Sequence, residues 1–254
     1  MIGTRGEAPW SLGIKARASD LKGGYALWAG SYDSMPNPLI VAEQPVVRSL
    51  VEEEPVGRAL DAAAGTGRHA VWLHERGHHV VAMDLSAEML RQARAKDEAL
   101  PVAVADLARL PLPDGCVDLA VCSLALSHCQ DLEKPIAELA RVVRPGGCVL
   151  ISDIHPLALL LGGRALAIAS DGSAALIPDF VHPIEDYLIA FRTAGLEIAR
   201  CVEPPYDEQA VDSLPGASAA REAFLAAYSG LPAALVWKTR RIEQGLGPAR
   251  KTPP

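Results

Sequence analysis

The chain is 254 residues long, 50% hydrophobic, and carries a formal net charge of −7. That length fits one α/β domain and the apolar share can cover both faces of a parallel sheet. The acidic balance excludes a general nucleic-acid binder, which needs a basic surface to displace phosphate counterions.

Residues 1–19 mix glycine, proline and scattered charge without a period, which predicts a flexible lead. From 20 to 54 a helical cap is expected, because Tyr25, Trp28, Ala29 and Tyr32 keep the spacing of one helix face and Pro45 to Glu54 reads as a second helix. The core, 55–153, alternates strand and helix signals. Arg58–Ala62, His79–Met83, Val102–Ala105, Val117–Ser123 and Cys148–Asp153 are short apolar runs, with helices beginning near Arg68, Ser86 and Asp131. Such alternation predicts a doubly wound α/β fold with its ligand at the carboxyl ends of the strands. Residues 154–182, broken by Gly162, Gly163, Gly172 and Pro178, read as an insertion or lid over those ends. Residues 183–241 then give a helix ending at Gly195 and strands at Leu196–Val202 and Ala233–Thr239, and 242–254 is a tail.

Five cysteines without a C-x-x-C pair indicate neither zinc nor a disulfide framework, and Cys116, Cys122, Cys148 and Cys201 read as reduced core residues. Lys238, Arg240, Arg241, Arg250 and Lys251 read as a solvated strand end and tail. No basic-then-apolar leader is visible, and Leu157–Ala169 is too short and interrupted to span a bilayer. The expectation is a cytoplasmic protein, monomer or homodimer, with a small-molecule substrate and neither membrane nor nucleic-acid partner.

The most informative stretch is Leu60-Asp61-Ala62-Ala63-Ala64-Gly65-Thr66-Gly67-Arg68-His69, followed by Asp84 at the end of Val80-Val81-Ala82-Met83-Asp84. It reads as strand, glycine turn, helix, and a second strand closed by an acid that can accept hydrogen bonds from two ribose hydroxyls. With Ala70 at the third small position, the turn alone also fits a dinucleotide fingerprint.

Asp61 to Gly67 resembles the D-x-G-x-G-x-G signature of class I S-adenosylmethionine (SAM) dependent methyltransferases of the small-molecule, UbiE-like kind, with Ala63 in place of the first glycine. The resemblance continues through Ala105-Asp106-Leu107, Leu110 to Asp118, Ser123 to His128, and Glu138 to the Pro145-Gly146-Gly147 turn. Tyr25 to Asp33 with Asn37-Pro38 resembles the N-terminal cap. None of the run from Asp106 onward belongs to the nicotinamide pattern. The resemblance implies a Rossmann-like, mostly parallel seven-stranded sheet with an antiparallel last strand, SAM as methyl donor and S-adenosylhomocysteine as product. It implies that Gly65 and Gly67 let the loop pass the methionine moiety, that Asp61 orders the loop or reaches the amino group through water, and that Asp84 clamps the ribose. Leu85 and Met89 would sandwich adenine, although Met89 also fits helix-core packing. Asp106 and Leu107 would meet the adenine edge, Asp106 also fitting an Asx turn, and Ser123 would line the methyl-donor site. Tyr25 and Tyr32 would close over the methionine carboxylate or the substrate. Ala63 counts as a small departure, a methyl group on the cavity wall.

The implied reaction is methylation of O, N or C of a small, apolar metabolite. An acceptor with a proton to lose needs a base, and His128, His155 and His182 stand near the expected mouth. His69, His74, His78 and His79 lie on the helix and turn leading to the second strand, where the last three are expected on the surface. Two alternatives keep the cofactor: a SAM-binding enzyme that does not methylate, such as a cyclase, and a non-catalytic SAM-binding protein. No metal is expected.

Overall fold

Alternating apolar runs and amphipathic segments build one central sheet in the computed structural model, which describes residues 16–242. Most of the expected lead, residues 1–15, and all but the first residue of the expected tail, including Arg250 and Lys251, lie outside the described residues. In chain order, β1 (Ala16–Ala18), α1 (Leu21–Trp28) and α2 (Pro38–Glu52) precede the core. The core comprises β2 (Arg58–Ala62), α3 (Arg68–Glu75), β3 (His79–Asp84), α4 (Ala87–Lys96), β4 (Val102–Val104), β5 (Val117–Ser123), α5 (Glu133–Val142) and β6 (Val143–Ile154). The insertion carries α6 (Pro156–Leu160), β7 (Leu166–Ile168) and β8 (Ala174–Leu176). It is followed by α7 (Ile184–Thr193), β9 (Leu196–Val202), α8 (Glu208–Asp212), α9 (Arg221–Tyr228) and β10 (Ala234–Arg241).

The seven strands lie in the order β4-β3-β2-β5-β6-β10-β9, with β10 antiparallel to both neighbours and the other core pairs parallel. Successive residues alternate between two apolar layers, as the two-residue period of a strand requires. Leu60, Cys122 and Ile151 pack with Ile136, Leu139 and Phe191 on one face. Ala59, Val121 and Leu150 pack with Leu50, Trp72 and Leu73 on the other. Chain order reverses between β2 and β5, and the register sets Ala62 opposite both Met83 and Cys122. A crevice therefore opens where those strand ends meet, the switch point of a doubly wound sheet.

Several local expectations are corrected. Residues 16–18 are a strand, not part of a flexible lead, because β1 pairs with β8 and β8 with β7 in a second, three-stranded sheet. That sheet ties the N-terminal cap to the insertion. The second helix starts at Pro38, not Pro45, with the Asn37 side chain accepting from Leu39 N–H at 3.0 Å and Pro38 in the first turn, where proline costs nothing. Tyr32 sits in a separate 3₁₀ turn, Tyr32–Ser34. Cys201 is exposed, since β9 is an edge strand. Lys238 is 4% exposed, ion-paired to Glu53 and Glu54 at 2.7 and 2.6 Å, and Arg240 pairs with Glu54 at 2.6 Å. These cations meet the acidic end of α2 and are no solvated strand end. His78 is also buried, its Nδ1 accepting from Gly57 N–H at 3.3 Å. No helix among the described residues is long and apolar enough to cross a membrane.

Candidate active site

A cavity of about 1020 Å³, counting its open mouth, lies over the ends of β2, β3 and β5 and beneath α1. Its floor is the turn after β2. Ala63, Gly65 and Gly67 all adopt left-handed backbone, with φ of 56°, 54° and 79°. The Asp84 carboxylate holds this turn: Oδ2 accepts from Gly65 N–H and Oδ1 from Ser86 N–H, both at 2.8 Å. Burial pushes its pKa above the ordinary aspartate value despite these bonds. Among the described residues, a Cβ at Gly65 would meet no heavy atom within 4 Å, whereas one at Gly67 would stand 2.7 Å from Ala93 Cβ. Gly65 thus leaves the turn open to the cavity. Gly67 lies outside the cavity lining, and its lack of a side chain serves the packing of α3 on α4.

Ala63 is a larger departure than its methyl group suggests, because the strain is in the backbone. Left-handed conformation costs an L-residue about 1–2 kcal/mol, and glycine there gives back about 0.5–1 kcal/mol as chain entropy. Ala63→Gly is therefore expected to raise stability by up to about 1 kcal/mol, a rise of roughly 2–4 °C in the melting temperature of a chain this size. A melting temperature unchanged or lowered in calorimetry refutes the strain. Leu124, just past β5, has φ 53° and faces the same cavity.

Asp61 ends its role in the strand by capping a helix. Gly67 has no side chain with which to cap α3, and the buried Asp61 Oδ2 accepts from Ala70 N–H at 2.7 Å instead. Burial pushes the Asp61 carboxyl up to about 7, against the pull of Arg68 and this bond. Arg68 reaches the fully buried Glu43 of α2 at 2.6 Å, and His69 Nε2 lies 3.8 Å from the same oxygen. Burial alone would raise the Glu43 carboxyl, but Arg68 and His69 hold it below the usual range. His69 lines the cavity, and among the described residues neither ring nitrogen has a partner within hydrogen-bond geometry. Its pKa is lowered, chiefly by burial. The first turn of α3 faces the crevice, so His69 belongs to the site, contrary to the expectation from its place before the second strand. Its position two residues past the last turn glycine is the signal.

At the other end Leu85, Asp106 and Leu107 line the wall, with Asp106 Oδ1 accepting from Ala108 N–H at 2.8 Å in an Asx turn. Met89 does not line it: it points inward from the first turn of α4 and is fully buried. Ser123 lines the floor with a buried Oγ that has no hydrogen-bond partner among the described residues. From above, Tyr32 and Tyr25 close the wall, and Tyr25 Oη lies 2.7 Å from His128 Nε2. Burial raises the pKa of both tyrosines, Tyr25 well above its ordinary value. Asp33 accepts from Thr66 Oγ1 at 2.7 Å and pairs with Lys96 at 2.6 Å, fastening the 3₁₀ turn to the glycine turn.

Of the three expected bases, the cavity holds only His128. The ring of His155 caps α6, Nδ1 accepting from Leu157 N–H at 3.2 Å. His182 Nε2 is 2.8 Å from the Cys129 carbonyl. His155 is turned to the start of its own helix, and His182 to the backbone of the connection between β5 and α5. Among the described residues no cluster is suited to hold a metal.

Residues 60–151 match the methyltransferase domain family. A malonyl-acyl-carrier-protein O-methyltransferase of Pseudescherichia vulneris is 38% identical over 108 residues, 42% of this chain and 43% of the relative. The ubiquinone/menaquinone biosynthesis C-methyltransferase UbiE of Acidiphilium cryptum is 34% identical over 117 residues, 42% and 47% of the two chains. The chain thus matches less than half the length of these curated relatives. A solved S-adenosylmethionine dependent methyltransferase from Mesorhizobium loti is 27% identical, with a TM-score of 0.60, covering 79% of this chain and 98% of its own. The family match spans β2 to β6, and both Tyr25 and the insertion lie outside it.

Proposed function

We propose, from the premise that this chain belongs to the class I SAM-dependent methyltransferases, that it methylates an oxygen, nitrogen or carbon of a small, largely apolar molecule held between the cap and the insertion. The observation that carries this reading is one cavity that joins the Asp84-clamped turn to the Tyr25–His128 pair. The open Gly65 turn, Asp84, Leu85, Asp106, Leu107 and Ser123 fit the cofactor and would hold it, with Asp61 beneath the loop and Tyr32 above. Bound there, SAM would supply a methyl group on a cationic sulfonium, with a neutral thioether as the leaving group, so the protein's main task is alignment at near-contact distance. Tyr25 and His128 supply the remaining need, a place for the acceptor's proton. The relatives' names, a malonyl-acyl-carrier-protein O-methyltransferase and a ubiquinone/menaquinone biosynthesis C-methyltransferase, mark the two acceptor classes to try first.

The test is release of S-adenosylhomocysteine with those two acceptors and a panel of apolar phenols and amines, alongside calorimetric titration with SAM and with NAD. Binding of NAD in place of SAM overturns the cofactor. Conversion of an acceptor with SAM unconsumed replaces methyl transfer by the cyclase-like reading, and binding without turnover on any acceptor leaves a SAM-binding protein.

Asp61 gives this reading a pH dependence. Its carboxyl titrates at about 7 and prefers the neutral form below that value. The stability this contributes to the free protein is therefore present at low pH and lost as pH rises through about 7. A cationic ligand beside it favours the carboxylate, so binding releases a proton below pH 7, and SAM affinity is expected to rise about tenfold from pH 6 to pH 8. In Asp61→Asn the dependence should vanish. A flat wild-type profile would show that Asp61 does not sense the ligand's charge.

A further inference from the structure

We propose that Asp179 is a positioning residue for His128, and that Tyr25, His128 and Asp179 form a proton relay assembled from the cap, the core and the insertion. The proposal rests on the methyltransferase reading for its purpose, though not for its geometry. His128 Nδ1 is 2.8 Å from the Pro178 carbonyl and 3.2 Å from Asp179 Oδ1. A carbonyl only accepts, so Nδ1 carries a proton, and in the neutral ring Nε2 must then accept from the Tyr25 hydroxyl at 2.7 Å. The proton of Tyr25 is thereby aimed at His128, leaving its oxygen lone pairs for an acceptor's O–H or N–H.

Proton movement through this chain balances without another group. The acceptor's proton passes to Tyr25 Oη as the tyrosine's own passes to His128 Nε2, leaving neutral tyrosine and an imidazolium. Burial keeps Tyr25 strongly disposed to stay protonated, so the imidazole is where the proton rests. That imidazolium is 5% exposed, and a buried cation needs a facing anion. Asp179 is built to be that anion. Its side chain is 1% exposed, Oδ2 is fixed by the Ala165 N–H at 2.8 Å, and Oδ1 has no hydrogen-bond partner among the described residues. The other carboxylate near the ring, Asp153 of β6, already accepts from Tyr187 Oη at 2.6 Å and from Ile154 N–H at 2.8 Å. Because Pro178 and Asp179 both belong to the insertion and Tyr25 to the cap, the relay is complete only with both segments seated over the cavity.

The experiment follows the His128 imidazole by ¹⁵N–¹H NMR in the full chain, as wild type, Asp179→Asn and Tyr25→Phe, with His128→Gln for assignment. The wild-type ring at neutral pH is expected with its proton on Nδ1. Asp179→Asn keeps an oxygen for Ala165 N–H and removes the charge, so the ring is expected to titrate at a pH lower by about one unit or more. A proton on Nε2 in the wild type, or a titration displaced by less than roughly a third of a unit in a folded Asp179→Asn, overturns the relay. The tautomer is read in the wild type and decides the matter even if the variant does not fold. SAM titration of the same samples separates the two ideas. A displaced His128 titration without SAM binding leaves the relay and overturns the function, and SAM binding with an undisplaced titration does the reverse.

Discussion

Replacing Asp84 with alanine is expected to weaken SAM binding roughly 10- to 150-fold, equivalent to about 1.5–3 kcal/mol for a hydrogen-bonded charge. Sequence alone assigns Asp84 a contact with the ribose. The geometry adds a second task, since its two oxygens already accept from Gly65 and Ser86 N–H groups at 2.8 Å. A turn holding three left-handed residues within five positions has little local preference to keep its shape, and the carboxylate is what pins it to β3. The variant is therefore also expected to lose about 1–2 kcal/mol of stability, because two part-buried N–H groups lose their partners. Asp84→Asn separates the tasks: its oxygen satisfies one N–H while its amide group opposes the other, so affinity should fall between wild type and alanine. Calorimetric titration with thermal unfolding of each protein measures both terms. Unchanged affinity in the alanine variant means the ligand is held elsewhere.

What could be read in the sequence follows from how local each signal is. Arg58–Ala62 and Val117–Ser123 form strands at the residues expected, because an apolar run bounded by charge or turn residues is a local property. The glycine turn and Asp84 were legible for the same reason. β1 was not, since its three residues become a strand only by pairing with Ala174–Leu176, far along the chain. Pro45 looked like a helix start yet lies inside α2, a position that tertiary packing has to override. Within the site, the missed residues are those defined by partners: Glu43 by Arg68, Asp179 by His128, and His69 by the tilt of the first turn of α3. Met89 and Gly67 show the converse. The motif marks both, but which face of a helix turns to the cavity is fixed by the packing of α3 against α4.

Removing a single oxygen tests the chemistry itself. Tyr25→Phe keeps the ring, which stacks on Trp28 with centroids 6.0 Å apart, and deletes only the hydroxyl that joins His128 to the cavity. With an acceptor that must lose a proton, turnover should fall about a hundredfold or more, the usual worth of a positioned acid or base. SAM affinity should change by less than about threefold, because less than 1 kcal/mol of ground-state binding is at stake. His128→Gln should cost a similar factor. The double variant should cost little more than either single one, since residues acting as one unit are not additive. Multiplied losses would instead mean that the two residues act on separate steps. A Tyr25→Phe enzyme that keeps its rate would sink the proton-acceptor role and point to an acceptor already ionised in solution, such as a carboxylate, for which alignment alone suffices. The two outcomes sort acceptors by whether they carry a proton at the reacting atom, and that distinction selects which half of an acceptor panel to pursue.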